Sequence, residues 1–220
     1  MDIRFYDMTN PRKKRDNVEE DFELQMSAPS AVFAYYLSSL RMKDEIRQIN
    51  IFCDKNTTDI DLNQNIIDGF WDITVPYDPN ILLSIKQERE KKEEIKSLIT
   101  DVFTRIYTFK RWEVSDLKRA IFHAEQMGFT LEFLLKGTPK KSPNRKHIAI
   151  VKCTEDIKSF KMVCSIYDQY GVLISEKLIV ETMPSSFTYQ QFIGKPIWES
   201  NEIFSIEAKH GKWKESVDIR

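Results

Sequence analysis

Apolar residues along this chain change their spacing at Gly128. Before it, Ile95, Ile99, Val102, Ile106 and Phe109 recur at alternating intervals of four and three, one stripe along a helix. No Gly or Pro interrupts residues 81–111, so the spacing predicts one long helix there. Residues 86–94 are nearly all charged, so its first half is expected to be solvated and its second half buried. A second helix is predicted over 115–127, with Ser115 as N-cap, Gly128 at the C′ position, and Leu117, Ile121 and Ala124 as its core face. After Gly128 the period becomes two. Phe129, Leu131, Phe133 and Leu135 alternate with Thr130, Glu132 and Leu134. Further strands are predicted over 148–154, 160–167, 172–181 and 202–209, joined by hairpin-type connections at 154–156 and 168–171.

Upstream the pattern is mixed. Ile3 and Phe5 alternate with Arg4 and Tyr6, a short strand over 2–8. Residues 10–21 run from Arg12-Lys13-Lys14-Arg15 to Glu19-Glu20-Asp21 and read as a charged connector. Phe33, Ala34, Leu37 and Leu40 predict a helix over 30–43, with Pro29 near its start and Ser27 or Ser30 as cap. Ile49, Ile51 and Cys53 predict a strand over 45–53; Phe70, Trp71, Ile73 and Val75 predict another over 70–75, ended by Pro76 and Pro79. The expected class is α+β: an N-terminal mixed segment, then a long amphipathic helix and a second helix packed on a C-terminal antiparallel meander sheet. The chain reads as a single domain, 1–220, divisible into a helix-rich half, 1–128, and an antiparallel β half, 129–220.

Composition narrows the chemistry. At 220 residues the chain is long enough to bury a core without a metal or disulfide. Its net charge of −1 gives no overall field for nucleic acid or an anionic membrane. No run approaches the roughly 20 apolar residues of a membrane span, and residues 1–10 lack the apolar core of a signal peptide. The three cysteines, Cys53, Cys153 and Cys164, each stand among apolar neighbours without framework spacing. They read as reduced core thiols, which points to the cytoplasm. Six glycines, no two closer than nine residues, cannot form a phosphate-cradling loop or a dinucleotide fingerprint.

The remaining signatures are partial. Asp59-x-Asp61-x-Asn63 begins like a calcium loop, but Gln64 stands where glycine is needed and Phe70 where a bidentate glutamate is needed. The three histidines, His123, His147 and His210, form no metal-ligand pair, and His147 lies about 20 Å along its strand from Cys153. Glu88 and Lys92, spaced i, i+4, read as a solvated pair. No catalytic, cofactor-binding or metal-binding residue is assigned, and no cofactor is expected.

Two features suggest partner binding. The 136–147 loop gathers Lys140, Lys141, Arg145 and Lys146. Trp198 and Trp213 flank the last predicted strand, each beside charged residues, a setting for an interface hot spot or for closure of the sheet edge. The sequence therefore points to a non-catalytic cytoplasmic protein that binds another protein, in the manner of an inhibitor or of an immunity protein that neutralises a toxin. The alternatives are a nucleic-acid-binding protein using the 136–147 loop, and an enzyme whose site is assembled from residues distant in sequence.

Overall fold

The computed structural model describes residues 1–9, 18, 21–38, 46–62, 65–208 and 211–220. The basic run at 12–15, Leu40, the calcium-loop positions 63 and 64, and His210 lie outside the described residues. The chain divides into two compact units. The first comprises Met1–Leu131 and Asp156–Lys158; the second comprises Glu132–Glu155 and Ser159–Arg220.

The first unit is built on parallel strands. β1 (Asp2–Asp7) leads through helix α1 (Phe22–Ser38) to β2 (Gln48–Cys53), a parallel neighbour. A short β3 (Ile66–Ile67) precedes β4 (Phe70–Val75), which pairs parallel to β2, giving the order β1-β2-β4-β3. The register aligns Ile3 with Ile49 and Trp71, and Phe5 with Ile51 and Ile73. All six are buried, so period-two alternation makes one apolar sheet face. The opposite face is mixed: Gln48 donates to Asn50, Asn50 donates to Asp72 at 2.7 Å, and Tyr6 stacks on Phe52.

Helices cover the apolar face. α2 (Pro79–Ser84), α3 (Glu88–Lys110) and α4 (Val114–Gln126) complete the unit. Their buried residues share one cluster with Ile49, Trp71 and Val75, whereas the period change suggests the C-terminal sheet as their partner. Periodicity fixes which side of a helix is buried, not which sheet meets it. The α3 stripe holds at Ile95, Ile99, Val102 and Ile106, is widened by Leu98, Phe103 and Tyr107, and omits Phe109, which is 42% exposed.

Three element boundaries differ from expectation, each for a local reason. The 81–111 helix is two helices, because Ile85 and Gln87 adopt extended backbone between α2 and α3. α1 begins at Phe22, eight residues before the expected start, because Asp21 caps it: its carboxylate accepts from Leu24 N at 3.0 Å. Pro29 thus sits inside a helix rather than at its head. α4 begins at Val114, so Ser115 is inside it and Glu113 is the N-cap. Its end is as expected. Gly128 has φ +59°, its N–H bonds Glu125 O, and Phe129 N–H bonds Ala124 O, a Schellman closure.

The second unit is antiparallel. β5 (Leu131–Leu134), β6 (Lys140–Lys141), β7 (His147–Glu155), β8 (Phe160–Asp168) and β9 (Leu173–Thr182) form one sheet, with β7, β8 and β9 as a meander and β9 at its edge. After a short helix α5 (Ser186–Tyr189), β10 (Gly194–Trp198), β11 (Ile203–Ala208) and β12 (Lys214–Asp218) form a second meander. Alternate residues of both sheets, among them Val151, Met162, Cys164, Phe204 and Ile206, build one core. β10 and β12 were not legible as strands. Gly194 permits the closest approach: a Cβ there would lie 2.2 Å from Glu207 O. The α+β class and the C-terminal antiparallel meander are thus features of the fold.

Candidate functional site

The basic loop is built into the second unit rather than hung from it. Lys140 Nζ donates to Pro196 O at 2.8 Å, and Trp198 Nε1 donates to Lys140 O at 3.0 Å. Asn144 N–H donates to Asn201 Oδ1 at 3.0 Å, so the tip is tied to the β10–β11 turn. Trp198 is 9% exposed and stands edge-on to Phe204. Its ring closes over the core, so little of it faces solvent. Trp213 is half-buried, edge-on to Phe192. Lys141, Arg145 and Lys146 remain exposed. The structure therefore brings Trp198 and Lys140 together, and it leaves Lys141, Arg145 and Lys146 on the loop surface.

A run of exposed apolar residues lies elsewhere in the second unit. Tyr170, Val172, Leu173, Ile174 and Leu178 are 83%, 61%, 48%, 43% and 49% exposed. They occupy the β8–β9 turn and β9 as far as Leu178. The turn is ordered by Asp168, whose carboxylate accepts from Tyr170 N at 2.8 Å and Val172 N at 2.9 Å. Register extends the patch across the sheet: Leu173 aligns with Tyr167 and Ile148, and Leu178 aligns with Val163 and Lys152. On β7 and β8 these positions alternate with buried residues, and on β9 the register irregularity opposite Ile166 and Tyr167 brings Leu173 to the same outward face as Leu178, five residues on. Among the described residues β9 pairs with β8 only, so its other edge carries no backbone ladder, although Lys177 reaches from it to Glu215 and to the Ser216 carbonyl of β12. The sequence carried a signal for this surface, the unalternated run Val172-Leu173-Ile174 beside a turn, but period-two reading assigns it to a strand and stops.

The first unit contains a groove of about 300 Å³ at the carboxyl end of β4. Tyr77 OH donates to Glu94 Oε1 at 3.0 Å, which joins the post-β4 loop to α3. Burial, followed by the adjacent Glu94 charge, pushes the Tyr77 phenol well above its ordinary range, so it stays a donor. Leu98 and Val102 are buried along its floor.

Several chemistries find no geometry here. The three thiols are free and buried, and burial pushes Cys153 and Cys164 up to about 12, far from a reactive thiolate. Asp61 is held to β4 through backbone bonds with Thr74. Among the described residues, no group of three or more His, Cys, Asp or Glu side chains is placed to hold a metal ion. His123 stacks on Tyr36 with ring centroids 5.2 Å apart, and His147 Nδ1 lies 3.1 Å from Asn201 O. Among the described residues, no helix is long and apolar enough to cross a membrane.

No family model, curated protein or solved structure matches this chain.

Proposed function

We propose that this chain is a non-catalytic protein-binding protein that engages its partner through the β8–β9 hairpin and the open edge of β9. The observation that carries this reading is the concentration of five exposed apolar side chains within residues 170–178, two in the β8–β9 turn and three on β9, the strand that ends its sheet. Solvated apolar clusters of this kind lose water favourably when a partner covers them. The occupant that fits is an extended strand of another protein. Its backbone adds to the β9 ladder, and its alternate side chains meet Leu173 and Leu178. Tyr170 is the side chain best suited to anchor it, being large, amphipathic and nearly free of the protein surface. Lys141, Arg145 and Lys146 add a charged surface that tunes association rate more than affinity. An inhibitor or immunity-type protein, whose task needs a rigid recognition surface and no reacting group, is the class we favour.

The test is purification of the stoichiometric complex from the native organism, followed by hydrogen exchange of the bound and free chain. Slowed exchange over 170–182, together with loss of binding in Leu178→Lys, supports the reading. Protection confined to the 136–147 loop, with nucleic acid recovered, contradicts it.

A further inference from the structure

We propose that the groove beside α3 at the carboxyl end of β4 binds an alkylammonium group, a cation carried on a short aliphatic chain. Its described lining includes two carboxylates, Glu94 and Asp101, and no basic side chain. Arg105 already engages Asp101 from outside the lining, at 3.1 Å. Among the described residues, the partner of Glu94 is the neutral Tyr77 hydroxyl. A carboxylate offers about four acceptor positions, so this bond leaves it able to accept a cation while fixing its orientation. An anion set against low-dielectric walls attracts a cation more strongly than one in open water does.

The walls select the rest of the ligand. Leu98 and Val102 form an apolar floor, and Ile81 stands 49% exposed at the rim. Ammonium groups on aliphatic stems bury the stem and keep the charge at a polar edge. About 300 Å³ is roughly twice the cavity that accepts benzene in an engineered case, so a five-carbon chain fits. The same chemistry has two sources, a free small amine or a lysine side chain of a polypeptide. The groove belongs to the first unit and stands independently of the β9 surface.

The experiment is a methyl NMR titration of the full chain with n-pentylammonium chloride, with Nα-acetyl-lysine amide, and with 1-pentanol as the neutral isostere. At least one ammonium compound should shift the Ile81, Leu98 and Val102 methyls, and 1-pentanol should bind about tenfold more weakly. Glu94→Gln, isosteric at a half-buried position, should weaken the ammonium by about tenfold, and Tyr77→Phe by less. Binding of the lysine derivative alone identifies a polypeptide source; binding of pentylammonium alone identifies a free amine. Equal binding of 1-pentanol to the unsubstituted chain, unchanged affinity in Glu94→Gln, or no methyl shift with either ammonium overturns the proposal.

Discussion

The indole Nε1–H of Trp198 donates to the carbonyl oxygen of Lys140 at 3.0 Å, and Lys140 Nζ returns a bond to Pro196 O two residues before that indole. This reciprocal pair fastens the 136–147 segment to β10. Trp198, which the sequence allows either as an interface hot spot or as closure of the sheet edge, is thereby a structural joint. Trp198→Ala should destabilise the protein by about 3–5 kcal/mol, measured by urea unfolding. Trp198→Phe keeps an aromatic ring in the core but trims its volume and removes the indole donor to Lys140 O, and should cost about 1–3 kcal/mol. Equal, negligible losses for both would show that the ring is not part of the core.

The α3 stripe gives a graded series. Ile99→Ala should cost about 2–5 kcal/mol and Phe103→Ala about 3–5 kcal/mol, because both are fully buried, Phe103 edge-on to Phe33 of α1. Phe109→Ala, at a position 42% exposed, should cost less than about 1 kcal/mol. Urea midpoints at constant m-value check the ranking.

Gly194 and Gly171 should respond differently to alanine. At Gly194 a Cβ meets Glu207 backbone, which cannot move without breaking the β10–β11 ladder. The loss should reach about 1–3 kcal/mol or more. Gly171 has open space around it and only its φ of +85° to oppose a side chain. Gly171→Ala should cost about 1–2 kcal/mol. Thermal unfolding of the two variants distinguishes steric from backbone strain.

Acid should weaken the α3 N-terminus through Glu88. Lys158 and Lys92 hold its carboxyl at about 2, below its ordinary value. A depressed carboxyl pKa contributes stability above the unfolded value, roughly 4.3, and that contribution is lost as pH falls through about 2. The side chain is 41% exposed, so solvent and salt reduce the effect. Glu88→Gln should flatten the stability profile below about pH 5, more at low than at high ionic strength. An unchanged slope would show that the ion pairs add nothing.

How much of this was legible depended on whether local spacing or distant pairing decided the outcome. The Gly128 closure needs only residues 124–129, and β7 to β9 need only alternation. Both were readable. The parallel pairing of Ile3 with Ile49 depends on a partner more than forty residues away, and nothing in either run names the other. The break at Ile85–Gln87 contains neither Gly nor Pro, so no local signal announces it. Burial of Trp198 follows from a bond to a loop 58 residues earlier, whereas its sequence neighbours, Ile197 and Glu199, allow either side. The β9 surface was partly legible in Val172-Leu173-Ile174, but its importance comes from β9 ending the sheet.

The thiols should be silent in the native state. Cys53, Cys153 and Cys164 are buried and desolvation raises each. A thiol reagent should label all three in urea and none rapidly in buffer, and non-reducing mass spectrometry should find no Cys153–Cys164 bridge.

The most direct measurement of the central claim is hydrogen exchange of the native complex at residues 170–182, read against the free chain. Partner binding along β9 predicts slowed exchange of the strand's outward amides, abolished together with binding in Leu178→Lys and in Val172→Asp. Full affinity in both variants, with exchange over 170–182 unchanged by the partner, would contradict it.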